Sequence, residues 1–417
     1  MLRYYLKNKS VLKRCKIYKM LRQNAQKKHV SFHTPGHKIG KWDITELSFS
    51  DNLSCPRGCI AAAERDIAQI LGAAKSFLLT DGSTSGVLSM LYAAKSLGVN
   101  TLAISRNSHK SVYNGCVLTG ISPLLYDGER DAETALAAAD GILWTSPDYY
   151  GKIPSLAAWR KRCDQTGKVL LIDGAHGGHL HYQKEIYAGS YADLWVDGAH
   201  KSLPALTQGG VVSARTERLS AALAAAVDIF RTTSPSYPIM ASIEYAVKYP
   251  RNLRLENAVK AFSARENRVE VFEDWTKLCA VFDDGFAAEK YFESKGVYPE
   301  FCDGKRVEFY LSPAVKAKDF KALQKLLKEA FLLYPYCGET QTQRIPAAAV
   351  LPKNTKTEWV EFRQAEGRIC ALSCGLFPPC TPLFLTGERI EGEKCALLAK
   401  ANNVYGVKDG KICVYKQ

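Results

Sequence analysis

Short apolar runs punctuate the chain between residues 75 and 214: KSFLLT (75–80), NTLAIS (100–105), SPLLYD (122–127), GILWTS (141–146), KVLLIDG (168–174), DLWVDG (193–198) and GGVVSA (209–214). Stretches between them, such as SGVLSMLYAAKSLG and SLAAWRKRCDQTG, read as helices. Strands without a polar face, alternating with helices, predict a mainly parallel sheet covered on both sides. The last two runs are too close for a crossover helix, so one of them is expected to run antiparallel. From about 215 to 265 the pattern is helical, with a turn-rich break at RTTSPSYP (231–238). Beyond 265 the texture changes: RVEFYLSP (306–313) reads as a strand, KDFKALQKLLKEA (318–330) as an amphipathic helix, and EWVEF and GRICAL as strands. The pattern divides the chain into an N-terminal arm (1–32), a large domain (33–265) and a smaller α+β domain (266–417).

Composition narrows the class. The 417 residues suffice for two or three domains, and 47% hydrophobic with 24% charged residues is ordinary for a soluble protein. No apolar run approaches the roughly 18 residues of a membrane helix, and the N-terminus lacks the apolar core of a secretory signal. Thirteen scattered cysteines, an odd number, favour reduced thiols and a cytoplasmic setting over a disulfide framework. The net charge of +14 is local: residues 1–30 hold ten Lys/Arg and no acid. Val11, Cys15, Tyr18 and Ala25 recur there at helical spacing, so the arm is expected to be an amphipathic helix packed on the domain or on a partner subunit. That reading is preferred to a nucleic-acid or acidic-lipid contact.

All eight histidines (29, 33, 37, 109, 176, 179, 181 and 200) precede residue 201, which points to one polar site at the C-terminal ends of the large-domain strands. TDGSTSG (80–86) follows a strand and opens a helix. Backbone N–H groups from Gly82 onward, with the Ser83 and Thr84 hydroxyls, can cup a phosphate there, although the same residues make an ordinary turn and N-cap. Asp-Gly-Ala-His occurs twice, in DGAHGGH (173–179) and DGAHKS (197–202). Asp173 ends one strand and Lys201 follows the next. A buried ion pair would explain the two alone. Together with the phosphate cup and the histidines, they fit a pyridoxal phosphate site, which needs a Schiff-base lysine, an acid at the pyridine nitrogen and an anion cup. A zinc hydrolase is the competing reading, with Asp173, His176, His179, His181, His33 and His37 as donors, but it leaves Lys201 and the cup unexplained. Cys55/Cys59 and Cys370/Cys374 read as structural.

In order, HTPGHK (33–38), DNLSCPRGCI (51–60), DGSTSG (81–86), RNSHKS (106–111), DGAHGGH (173–179), DGAHKSLPALTQGG (197–210), TSPSYPIMASIE (233–244) and PPCTPLFLTGE (378–388) resemble the motifs of the Orn/Lys/Arg decarboxylase family. The resemblance implies the aspartate-aminotransferase (type I) fold, an α/β architecture with a seven-stranded sheet and a small C-terminal domain. It also implies pyridoxal 5'-phosphate, a basic amino acid as substrate, a polyamine-related role and a homodimer or higher homo-oligomer. By the resemblance, Lys201 is the Schiff-base lysine, Asp173 the partner of the pyridine nitrogen and His109 the imidazole stacked on the cofactor ring. Ser83 and Thr84 match the phosphate-binding pair, His200 the histidine before the lysine (a possible proton donor) and His176 the one three positions after the acid. Thr233 and Ser234 match a stretch that reaches the phosphate across a dimer. The chain departs from the family at Gly198 and Ala199, where Ser/Thr is common, at Gly174, where Glu is frequent, and at PPCTP, where PPGIP is usual. An aminotransferase or lyase on the same fold is the alternative, with Arg363, Arg368 or Arg389 as a carboxylate clamp. Asp51, Asp148 and Glu388 are candidates to receive a basic side chain.

Overall fold

The computed structural model describes residues 6–38, 41–337, 356–401 and 403–416. All seven runs form strands of one sheet: β1 (Lys75–Leu79), β2 (Thr101–Ser105), β3 (Ser122–Tyr126), β4 (Gly141–Thr145), β5 (Val169–Gly174), β6 (Leu194–Asp197) and β7 (Gly210–Ala214). Their order is β1-β7-β6-β5-β4-β2-β3. β7 is antiparallel to both β1 and β6, while β2 to β6 pair in parallel. The short 198–209 connection leaves no room for a crossover, so the chain must turn back on itself.

Alternation along these strands sorts their side chains into two cores. Leu78, Ile142, Leu170, Ile172, Trp195 and Val211 pack on one face; Leu79, Leu143, Leu171, Leu194, Val196 and Val212 pack on the other. Almost every one is fully buried, each worth roughly 1.5–3 kcal/mol against exposure. The helix Ser83–Ser96 covers the second face and Tyr237–Val247 the first.

Among the described residues the arm contains two helices, Lys9–Leu12 and Lys16–Gln26, and not one continuous element. Val11, Cys15, Ile17, Tyr18 and Leu21 are buried in the first core, and Ala25 is half-buried. The break has a physical cause. Glu244, fully buried on the helix Tyr237–Val247, accepts hydrogen bonds from the Lys16 and Ile17 N–H groups at 2.7 and 2.9 Å and so caps the second helix from outside. Lys248 balances that carboxylate at 2.7 Å. The arm is therefore part of the large domain's core, with its lysines on the outer side. Residues 1–5 lie outside the described residues.

After residue 250 two further apolar clusters form, one over 255–330 and one over 365–414. The first is built on a four-stranded sheet containing β8 (Val269–Glu270), β9 (Lys277–Val281), β10 (Phe301–Cys302) and β11 (Arg306–Tyr310), in the order β10-β11-β9-β8. The helix Ala317–Leu333 packs against it. EWVEF contributes the strand Thr357–Glu361, whereas GRICAL makes only isolated bridges from Ile369 and Cys370. All thirteen cysteines are free; Cys370 and Cys374 are buried in the C-terminal cluster, Cys55 is exposed and Cys59 half-buried.

Asp197, at the end of β6, is buried and accepts hydrogen bonds from the Tyr187 hydroxyl (2.7 Å) and Trp195 Nε1 (3.1 Å). Burial outweighs these bonds and pushes its pKa up to about 7. The folded state thus holds this proton more tightly than the unfolded chain, whose carboxyl titrates near pH ~3.9. The stabilisation is complete below that pH and is lost as pH rises through 7. We expect the melting temperature to fall between pH 5 and 8 through a contribution of about a few kcal/mol, and Asp197→Asn to flatten that slope; equal slopes in the two proteins would refute the assignment.

Candidate active site

The doubled tetrapeptide is explained by two neighbouring strand ends. β5 and β6 run parallel with Asp173 opposite Val196 and Gly174 opposite Asp197. Beyond them the two turns pack backbone on backbone: a Cβ on Gly174 would lie 2.8 Å from the Val196 carbonyl oxygen, and one on Gly198 only 2.4 Å from that of Ala175. Each turn needs glycine because the other passes so close. The first copy leaves Asp173 at the sheet edge; the second leads into the short turn Ala199–Ser202, which carries Lys201.

Lys201 Nζ lies 3.1 Å from His176 Nε2. Burial lowers the lysine pKa, while the Asp173 and Glu300 carboxylates raise it. Asp173 is 3% exposed; one carboxylate oxygen accepts the Ala175 N–H at 3.2 Å, and the other accepts no hydrogen bond among the described residues. Burial raises its pKa and Lys201 opposes the rise. His176 is buried, and its Nδ1 has no hydrogen-bond partner among the described residues; desolvation first, then the Lys201 and Lys277 charges, hold its imidazole neutral.

His109 caps the helix Lys110–Thr119, its Nδ1 accepting the Ser111 N–H at 3.1 Å and lying 2.7 Å from the Ser111 hydroxyl. Burial and the charge of Lys201 lower its pKa to about 3, so the ring is neutral at any working pH. His200 Nδ1 sits 2.9 Å from the Gly209 carbonyl, which fixes the proton on Nδ1 and leaves Nε2 as an acceptor. Gly82, at φ +86°, turns β1 into the helix Ser83–Ser96, whose N-terminus has no side-chain cap; Ser83 is half-buried and Thr84 exposed. Thr233 and Ser234 are exposed beside this helix start, because the Thr232 N–H donates to Asp81 at 3.0 Å.

An amine, a buried acid with a spare oxygen, a flat neutral imidazole and an uncapped helix end are the groups that pyridoxal phosphate would require. The residues present fit that cofactor.

The histidines do not build one site. His33 and His37 are exposed and turn to Thr45 and Asp43. His179 Nε2 pairs with fully buried Asp274 at 2.8 Å, and His181 bonds the Gly178 carbonyl. Among the described residues no three His, Cys, Asp or Glu side chains come together to hold a metal ion. The zinc donor set is thus dispersed among separate partners. The proposed clamps fare similarly. Arg368 bonds Glu358 and the Tyr415 carbonyl, Arg389 bonds the Gly367 carbonyl, and Arg363 is exposed.

The site also holds residues that the motifs did not indicate. Tyr149, on the loop after β4, packs edge-on to His176 at 4.8 Å, and Tyr310 of β11 does so at 5.4 Å. Lys277 stacks over Tyr310 at 4.3 Å and pairs with Asp274 at 3.2 Å. Their only sequence signal was position: the end of a sheet strand for Tyr149, and none for residues of the smaller sheet.

The family model for the major domain of Orn/Lys/Arg decarboxylases matches residues 15–142 and 131–282. The chain belongs to that family. Among curated relatives, it is 27% identical to the uncharacterised protein YaaO of Bacillus subtilis (96% of this chain, 98% of that one) and 26% identical to the arginine decarboxylase of the same organism (92% and 93%). Among solved structures, the Francisella novicida lysine decarboxylase superposes with a TM-score of 0.75 at 16% identity, covering 96% of this chain and 81% of that one. The Escherichia coli constitutive lysine decarboxylase gives 0.69 at 19% identity, covering 97% and 82%. A structure described as SPT with PLP gives 0.58 at 12% identity, covering 78% and 85%.

Two departures from the family pattern now have physical reasons. A hydroxyl residue at position 198 would drive its Cβ into the Ala175 carbonyl, and one larger than glycine at 174 would strike Val196. Cys380, in place of the usual glycine, retains the left-handed backbone that glycine favours (φ +62°) and is buried. We expect Gly198→Ser, which restores the family hydroxyl, to destabilise the fold by about 1–3 kcal/mol in denaturant titration; a variant as stable as the parent would show that the close approach is not binding.

Proposed function

We propose that this chain is a pyridoxal-phosphate-dependent decarboxylase of a basic amino acid (arginine, lysine or ornithine) and that it works as a homodimer in the cytoplasm in polyamine-related metabolism. The observation that carries this reading is Lys201, desolvated beside His176 and within the field of buried Asp173. Family membership and the arginine and lysine decarboxylases among its relatives support the reaction type. No helix among the described residues is long and apolar enough to cross a membrane, and a nucleic-acid partner has no support from the buried arm.

In this reading Lys201, Asp173, His109, His176, His200, Gly82, Ser83, Thr84, Thr233 and Ser234 hold the cofactor, which when bound supplies an electron sink for the substrate α-carbon. Lys201 is the covalent anchor; its desolvation favours the neutral, nucleophilic amine. Asp173, as a carboxylate, would keep a proton on the pyridine nitrogen. Neutral His109 offers its face to the ring without adding charge. His176 Nε2 is placed to accept a hydrogen bond from Lys201 Nζ and to exchange its proton. His200, with its Nδ1 proton tied to Gly209, presents Nε2 as a second proton acceptor. Tyr149 and Tyr310 close the wall beside His176 and exclude water.

Release of CO2 from carboxyl-labelled arginine, lysine and ornithine by the cofactor-loaded protein tests the reading. We expect release from at least one of them, its loss in Lys201→Ala, and a drop on the order of a hundredfold or more in Asp173→Ala. A Lys201→Ala protein with undiminished turnover would sink the proposal, as would a keto acid product in place of an amine.

A further inference from the structure

The C-terminal segment is fastened beside the candidate site by a buried ion pair. The three acids that the sequence offers to a basic side chain are all engaged within the protein. Asp51 accepts the Asn52, Arg57, Gly58 and Ile60 N–H groups within 2.9 Å, and Asp148 accepts those of Tyr150 and Lys152 at 3.0 and 2.8 Å. Glu388 is gripped by Arg106 through both oxygens, at 2.8 and 2.5 Å, and takes the Leu385 N–H as well. Arg106 and Glu388 are each only 3% exposed.

Arg106 directly follows β2, and its own backbone is held on both sides. Its N–H donates to the Tyr126 carbonyl at 2.9 Å, and its carbonyl accepts the Tyr113 hydroxyl at 2.7 Å. Its guanidinium also donates to the Pro382 and Leu383 carbonyls, at 2.9 and 3.3 Å. A rigid, planar fork is thus closed on one carboxylate and two carbonyls of the same short stretch. The residues just before that stretch reach the site. The Cys380 carbonyl accepts the Lys110 N–H at 3.1 Å, and the Pro379 carbonyl accepts the Tyr149 hydroxyl. Lys110 is the first residue of the helix that His109 caps, so its N–H has no acceptor within that helix. Tyr149 packs on His176, which lies 3.1 Å from Lys201. One loop therefore bonds both the residue after His109 and the ring against His176.

Resting on the cofactor reading of this site, we propose that Arg106 and Glu388 are positioning residues. By gripping residues 382–388 they hold the Pro379 and Cys380 carbonyls where Tyr149 and the helix behind His109 need them. A buried ion pair adds little stability over an apolar pair of similar volume. What the fork supplies is direction, because its four hydrogen bonds close together in only a narrow range of loop placements. Arg106→Lys keeps the charge and replaces the fork with a single flexible ammonium.

Amide hydrogen exchange of the full chain, with and without pyridoxal phosphate, tests this in Arg106→Lys and Glu388→Gln, alongside cofactor titration and visible circular dichroism of the loaded protein. Arg160→Lys is the comparison: it breaks another arginine fork, to Asp164 and Asp193, that makes no hydrogen bond to the loop. Val112, whose N–H donates to the His109 carbonyl at 2.9 Å, is the internal reference. Lys110 exchange is expected to rise about tenfold relative to Val112 in both loop variants, the scale of one lost hydrogen bond. The cofactor dissociation constant should rise by about three- to tenfold, the worth of a loosened ring contact, and the visible dichroism should weaken. Arg160→Lys should lower the melting temperature and leave all three readouts unchanged. Lys110 exchange that follows Val112 in every variant would overturn the inference, as would unaltered cofactor affinity and dichroism in both loop variants. A parent that binds no pyridoxal phosphate would refute the cofactor reading, and the exchange ratio of the cofactor-free chain would still decide whether the pair positions the helix behind His109.

Discussion

The close approach of two backbones sets the rest of this site. Parallel strands β5 and β6 end in turns that pass within van der Waals contact, so neither Gly174 nor Gly198 has room for a side chain. The carboxylate that closes β5 and the amine that follows β6 are thereby committed to one space at the edge of a rigid sheet. Loops hung on longer connections could not fix two groups so closely. The second Asp of the pair, Asp197, is engaged differently from the first: it accepts hydrogen bonds from Tyr187 and Trp195 below the turn.

Desolvation is the second ordering principle. The site gathers Lys201, Lys277, His109 and His176, and burial settles the histidines as neutral rings before any neighbour acts. Charged rings would add to the positive field that Lys277 already exerts on Lys201. Asp173 tempers the field at Lys201 from within the sheet edge. A pocket poised in this way can hold an amine that is reactive yet not isolated from protons.

Much of this was legible in the sequence because the sheet's signals are local. All seven strands follow from apolar runs bounded by Gly, Asp and Ser, and the antiparallel β7 from the shortness of one connection. The position of Asp173 and Lys201 at neighbouring strand ends followed from the same reading. The arm was read as one helix because periodicity cannot see Glu244, a cap supplied from 227 residues away. The single histidine site failed for a similar reason: His33, His37 and His179 share composition with His176 but not partners, and partners are set by tertiary packing. Tyr310 was invisible, since nothing local in a strand of the smaller sheet says that it packs on a histidine more than a hundred residues earlier.

That long-range placement has its own mechanism. His179, from the motif that follows Asp173, hydrogen-bonds Asp274, which also pairs with Lys277 and accepts from Thr276; the histidine, the aspartate and the lysine are all about fully buried. The tie joins the segment after β5 directly to the start of β9, and through Lys277 to Tyr310 on the adjacent strand. A buried network of this kind adds little net stability, because desolvation offsets most of the attraction. Its charges are paired in this arrangement, however, and a shifted domain would strand them in a dry interface. So the second histidine of DGAHGGH, the natural candidate for a metal ligand, is better understood as the tie that keeps the strand bearing Tyr310 beside His176.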